Sequence, residues 1–327
     1  MALHQAARTM NDLGGDAKMM YLGLPEMARG TAKLTRDGDT VRVARKLQLG
    51  HVLKRRLAGR PLGPRVDARL RRFGVGQVTE MPADSHFVVP EIWPELADTL
   101  VRLGCPNVYF WWLSVDNFPL TQLHQLYAQR VIRDCRHLCQ SEYAAQFVRG
   151  QGAASVSMLS DYIELDEIPD PKPLAARSYD IAYLPNKATG AEPLIHHLKE
   201  RFNVIALQNM AREKVVSVLA DTKIFLDFGP HPGKDRVPRE AALCGCIPVV
   251  RKAGAANFPE DVPLPESLLV GTALFFEPEA LTQRIQAILG QEQGYADSLR
   301  DYRTGIRNEK TVFEGELRAL LDRDTGQ

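Results

Sequence analysis

The residues best suited to chemistry lie in one stretch, IFLDFGPHPGKDRVPREAALCGCIPVV, residues 224–250. An apolar run ends in Asp227, Phe228 and Gly229. A loop rich in glycine, proline and charge follows: Pro230, His231, Pro232, Gly233, Lys234, Asp235 and Arg236. Pro238 stands where a helix starts, a place proline favours because its missing N–H is no loss there. Glu240 falls in the first helical turn, and Ala241, Ala242, Gly245 and Cys246 are small enough to let the helix pack closely on the next strand. A glycine loop feeding a helix N-terminus holds phosphate, because free N–H groups and the helix dipole both favour an anion. Lys234 and Arg236 add positive charge at that place. His231 is a candidate to hydrogen-bond a phosphate or a sugar.

These residues need a frame, and composition restricts it. The chain has 327 residues, 45% hydrophobic and 25% charged, which suits a soluble globular protein of two domains. Disordered, collagen-like and coiled-coil classes are excluded. No run approaches the roughly 18 apolar residues of a membrane span, and MALHQAARTMNDLGG carries no secretory signal pattern. Five cysteines, Cys105, Cys135, Cys139, Cys244 and Cys246, are few and odd in number. They suit a reducing compartment, so the expected location is the cytoplasm.

Short apolar runs alternate with amphipathic stretches, the pattern of a parallel sheet covered by helices. Strands are expected at residues 18–22, 86–90, 107–113, 137–140 and 155–159. Helices are expected at 3–13, 41–57, 94–103, 120–131 and 142–149. Residues 161–178, DYIELDEIPDPKPLAARS, break the rhythm and read as a connection. A second alternation follows, with strands at 180–184, 203–207, 223–228 and 247–250 and helices at 193–202, 211–220 and 238–244. Residues from 278 onward read as helical. The fold class is therefore α/β, with two Rossmann-like domains facing a central cleft and ligands at the carboxyl ends of the strands.

PREAALCGCIPVV (residues 238–250) resembles the C-terminal domain signature of GT-B glycosyltransferases of the retaining, glycogen-synthase-like superfamily. The resemblance implies a GT-B-like fold and transfer of a sugar from a nucleotide-diphosphate sugar. It gives Glu240 the ribose. LPNK (residues 184–187) is similar to the strand end that contacts the diphosphate, which gives Lys187 that role beside Gly229, Gly233, Lys234 and Arg236. The nucleotide sugar is then a co-substrate, and neither a cofactor nor a metal is expected. Pro232 stands where the superfamily commonly has a second glutamate. HQAARTMNDLGGDAKMMYLG and LCQSEYAAQFVRGQG look like parts of the N-terminal domain of these enzymes, but the chain opens inside the first helix. A first strand therefore lies upstream or is lacking. The implied domains are an acceptor-side unit over 1–165, a nucleotide-sugar unit over 178–305, and a helix over 306–327 that packs back on the first. Val312, Leu317, Leu320 and Leu321 give that helix an apolar face.

Glu91 and Asp116 follow expected strands of the first half, so both are candidates for a general base or an acceptor-orienting group. The alternative for each is a cap or turn residue. Adjacent Trp111 and Trp112 point to opposite faces of a strand, in core packing or as a sugar platform. Cys135 and Cys139 would need two further ligands to hold zinc. Between Arg42 and Arg72 lie eleven basic residues against one acid, Asp67, although the whole chain carries a net charge of only +1. This basic helical insertion reads either as a solvated face or as a contact for an anionic partner. It contains no interleaved aromatics, so nucleic acid is not an expected partner. Expected partners are a nucleotide sugar, a glycan, lipid-linked or polyanionic acceptor, and an anionic surface at the inner face of a membrane. Two alternatives to transfer remain: a GT-B-type nucleotide-sugar epimerase, and an inactive nucleotide-binding module.

Overall fold

The computed structural model describes residues 1–21, 32–45, 67–188 and 190–325. Two parallel sheets make its frame. In the first half, β4 (Phe87–Pro90), β5 (Val108–Trp112), β6 (Arg136–Cys139) and β7 (Val156–Met158) lie side by side in sequence order. Each neighbouring pair is parallel. All five residues of β5, VYFWW, are buried, as befits a strand covered by helices on both faces. In the second half, β8 (Tyr179–Tyr183), β9 (Val204–Ala206), β10 (Thr222–Asp227), β11 (Ile247–Arg251) and β12 (Leu269–Val270) form a sheet of order β12-β11-β10-β8-β9. Counted within this half, that is 2-1-3-4-5, a doubly wound order. Pro248 is tolerated in β11 because β12 reaches only Val250 and Arg251, so Pro248 breaks no ladder bond to it.

Three expectations need correction. Residues 41–45 belong to a strand, not a helix: β2 (Thr40–Arg45) pairs antiparallel with β1 (Ala32–Asp37) and with β3 (Glu80–Pro82). Alternation of Val41 and Val43 with Thr40 and Arg42 is a period of two, which the longer helical spacing obscured. The basic segment is otherwise described only at its end, in the four-residue helix Ala68–Arg71; residues 46–66 lie outside the described residues. Second, residues 18–22 give only a single bridge, Met19 to Gln77, and Leu22 lies outside the described residues. Third, the helix expected from residue 120 begins at Leu126 (Leu126–Asp134), after a 3-10 turn at Leu120–Gln122. Proline at 119 fixes that turn's start.

The halves are joined by packing as well as by chain. The last helix, Arg300–Thr325, has 26 residues, a length of about 39 Å. Its start buries Tyr302 and Ile306 among Ile181, Leu226 and Val249 of the second sheet. Its middle buries Phe313 and Leu317 among Tyr109, Trp111, Leu138, Leu159 and Tyr162 of the first half. The opening helix, Ala2–Asp12, lies against the same cluster through Leu3, Ala6 and Met10. Asp261 reaches across to accept from the N–H groups of Glu142 (2.8 Å) and Tyr143 (3.0 Å), the first two of the Glu142–Gly150 helix. Ser141 Oγ takes the next, at Ala144. A helix start of one half is thus capped by a carboxylate of the other.

Phe313 is fully buried, so Phe313→Ala should lower unfolding free energy by about 3–5 kcal/mol. Val312, half exposed next to it, should tolerate Ala within about 0.5 kcal/mol. Urea unfolding of both variants decides. Equal effects would mean that the last helix does not anchor on the first half through this face.

Candidate functional site

The order of the second sheet reverses between β8 and β10, so the chain leaves their carboxyl ends in opposite directions and opens a crevice there. A 3-10 turn, Pro185–Lys187, follows β8, and the loop 228–235 follows β10 before the helix Arg236–Leu243. Gly229 brings the two together: a Cβ there would stand 3.4 Å from Lys187 Cβ. Gly233 meets the first half, where a Cβ would lie 2.3 Å from the carbonyl oxygen of Leu113. Only glycine fits that approach. Val115 N–H donates to the Pro232 carbonyl (2.8 Å), and Lys234 N–H donates to Gln140 Oε1 (3.1 Å). The loop is therefore held between the loops following β5 and β6.

A chain of charges runs through this loop. Lys187 Nζ lies 2.8 Å from Asp235 Oδ1, Asp235 Oδ2 lies 3.1 Å from His231 Nδ1, and His231 Nε2 lies 3.8 Å from Asp227 Oδ1. Asp227 and His231 are each only 1% exposed. Burial pushes the Asp227 carboxyl above its ordinary range. Burial also disfavours a charged His231, but its bond to Asp235 and the charge of Asp227 prevail and raise its pKa. Asp235 is held low despite burial by His231 and Lys187. His231 has a left-handed backbone, φ 48°. Its carbonyl is fixed by the N–H of Ala255 at 2.8 Å.

The remaining expected cations take acids of their own chain. Lys234 Nζ pairs with Glu309 (3.0 Å), and Arg236 pairs with Asp161 (2.9 Å) while donating to the Tyr162 carbonyl. Glu240, 2% exposed, accepts from Arg212 (2.7 Å) and lies 3.8 Å from Arg236. Arg212 also pairs with Glu167. Arg239, which the sequence did not single out, is the centre of this network. It donates to Asp161 and Glu309, both at 2.7 Å, and to the carbonyls of Lys234 and Asp235. Burial works against the charge of Asp161, but Arg239 and Arg236 outweigh it and hold its carboxyl low. Lys234, Arg236 and Glu240, the residues expected on the nucleotide sugar, have their charged groups engaged by Glu309, Asp161 and Arg212. The helix also begins at Arg236, so Pro238 occupies its third position rather than its first, and Glu240 its fifth, beyond the first turn.

On the other side, Glu91 is buried and accepts from Asn117 Nδ2 (3.0 Å) and Leu113 N–H (3.3 Å), tying together the segments after β4 and β5. Burial raises its pKa. Asp116 is exposed on the 3-10 turn Val115–Asn117 beyond β5. Trp111 and Trp112 are fully buried and donate to the Leu159 carbonyl and to His137 Nδ1, so neither offers a sugar platform. Burial pushes the thiols of Cys135 and Cys139 up to about 12, so both stay protonated at neutral pH. Asp161, Glu309 and Arg212 carried no local signal, because each acts through a partner at least 28 positions away.

No family model and no curated protein sequence matches the chain. Solved structures do. Sucrose-phosphate synthase from Thermosynechococcus elongatus is similar at a TM-score of 0.64 and 12% identity, over 98% of this chain and 92% of that one. A trehalose-phosphate synthase (UDP-forming) from Burkholderia vietnamiensis gives 0.56 and 12%, over 98% and 96%. Anabaena HepE in complex with UDP-glucose gives 0.57 and 13%, over 72% and 78%. The fold is that of the GT-B glycosyltransferases: two Rossmann-like α/β units with parallel sheets.

Arg239→Met leaves buried Asp161 to Arg236 alone and Glu309 to Lys234 alone, and losing the shared buried partner should cost about 3–5 kcal/mol at neutral pH. Asp161 titrates lower folded than unfolded, so its contribution is present above the ordinary carboxylate pKa and fades as pH falls through the folded value. The penalty of the substitution should therefore shrink near pH 4.5, where Asp161, less well paired in the variant, takes up a proton. Urea midpoints of both proteins at the two pH values test this, and an undiminished penalty in acid would refute it.

Proposed function

We propose that the chain is a glycosyltransferase that uses a nucleotide-diphosphate sugar as donor. The observation that carries this reading is Lys187 beside Gly229 at the reversal of strand order, next to a helix start whose first N–H groups Asp235 leaves uncapped. The likeness to HepE in complex with UDP-glucose supports the same substrate class. The reaction is displacement at the anomeric carbon. Negative charge grows on the leaving diphosphate, and Lys187 with the helix start lies where that charge is stabilised. Lys187 is held by one carboxylate, Asp235. A diphosphate brings more charge and takes the ammonium over. Glu240 binds the ribose, Lys234 and Arg236 strengthen the phosphate field, and Asp116 orients the acceptor hydroxyl from the exposed turn after β5.

Binding of UDP, GDP, ADP and their sugars is read by thermal shift. A ligand at 100 times its dissociation constant adds about 2.7 kcal/mol. Lys187→Ala should weaken the best nucleotide about 10- to 100-fold, the value of one charge-assisted bond. Stabilisation by none of the nucleotides, or an unchanged affinity in Lys187→Ala, would sink the proposal.

The acceptor is a glycan, lipid-linked or polyanionic molecule, and the basic segment brings the protein to an anionic surface. Arg42, Arg69 and Arg72 are paired with Asp37 and Glu80, with Asp67 and with Glu167. The bases at positions 46–66 lie outside the described residues. Among the described residues, no helix is long and apolar enough to cross a membrane. Each basic residue near an anionic bilayer contributes about 1 kcal/mol. Co-sedimentation with anionic but not neutral vesicles, lost as salt rises, is the expected result; no binding at low salt would refute it.

A further inference from the structure

Three side chains at the crevice turn their ligand-capable atoms toward one another. One such atom each from Asp227, His231 and Asp235 lies within 4.8 Å of the other two. Two of the three side chains are almost fully buried, and the Asp235 side chain, 17% exposed, opens the cluster to solvent. Their mutual contacts leave atoms unsatisfied. His231 Nε2 and Asp227 Oδ2 are buried without a hydrogen-bond partner. The separation of 3.8 Å between His231 Nε2 and Asp227 Oδ1 is too long for a hydrogen bond. Unpaired buried polar groups are rare because each loses its hydration without compensation.

We infer that Asp227, His231 and Asp235 form a binding site for a divalent transition-metal ion, with Zn²⁺ the best match. One imidazole nitrogen with two carboxylate oxygens is a zinc-type donor set, whereas Mg²⁺ and Ca²⁺ prefer oxygen alone. The two carboxylates offset the charge of the ion. Lys187 holds the other oxygen of Asp235 at 2.8 Å, as outer partners of ligating carboxylates do. Zinc–ligand distances are about 2.0–2.2 Å, so an entering ion replaces the present contact between Asp235 Oδ2 and His231 Nδ1 (3.1 Å) and draws the side chains together. The solvent-facing side of Asp235 leaves room for water or a substrate oxygen as a further ligand. The inference stands on these three side chains and does not depend on the nucleotide reading.

The test uses the full chain, dialysed against chelator and titrated with Zn²⁺ or Mg²⁺ by calorimetry. Bound metal is counted by elemental analysis after gel filtration. One equivalent of Zn²⁺ is expected, with Mg²⁺ far weaker. His231→Asn keeps a residue that tolerates the left-handed backbone, and Asp235→Asn keeps the shape of the carboxylate. Each should weaken Zn²⁺ binding about 100-fold. Three results overturn the inference: no bound equivalent, Mg²⁺ bound as tightly as Zn²⁺, or an equivalent retained by both variants, as exposed His196 beside Glu200 would give. Should His231→Asn fail to fold by circular dichroism, Asp235→Asn carries the decision alone.

Discussion

The buried guanidinium of Arg239 is the interaction on which the rest of the architecture turns. It is 1% exposed and binds carboxylates from two distant segments, Asp161 in the connection and Glu309 in the last helix. It also binds two carbonyls of the loop that leads into its own helix. An isolated buried charge is prohibitive, so the three segments must meet in one arrangement or the charges are stranded. The planar fork of arginine makes this geometry specific in a way that a lysine would not. Hydrophobic packing of Phe313 and Leu317 brings the last helix to the first half, and Arg239 fixes how it sits there.

The same network sets the electrostatics of the crevice. The loop 229–235 and its neighbours Lys187 and Arg236 carry the groups suited to an anion, yet their charges are balanced inside the protein: Lys187 by Asp235, Lys234 by Glu309, Arg236 by Asp161. In the proposed function a diphosphate would therefore exchange partners rather than meet bare cations. Lys234, Arg236 and Arg239 share two acids, one in the connection and one in the last helix. Any shift of these side chains toward a ligand is thus felt where the two halves join. The charge balance of the crevice and the fit between the halves rest on the same residues.

Much of the frame was legible in the sequence. Parallel strands covered on both faces appear as short apolar runs, and VYFWW, IFLD and IPVV are such runs. Breaks at glycine and proline separate them. Readings failed where a local pattern had two periods, as at residues 40–45, or where a turn interrupted an apolar helical pattern, as at 120–125. The candidate-site residues were legible as a type of loop, because glycine, lysine and a helix start are local features. Their partners were not.

The sequence by itself determined the α/β class, the two alternations, and the position of the anion-suited loop between β10 and its helix. These follow from periodicity and backbone stereochemistry, which act over a few residues. Tertiary structure alone decided which charges stay available. Asp161, Arg239 and Glu309 are ordinary charged residues in the chain, 78 and 70 positions apart along their bonds. Only folding brings them into one dry pocket, where the loss of hydration makes pairing obligatory. The same holds for Asp227, His231 and Asp235: their spacing of four along a loop rich in proline and glycine does not say which way each side chain faces. The left-handed backbone at His231 and the reversal of strand order turn them inward together.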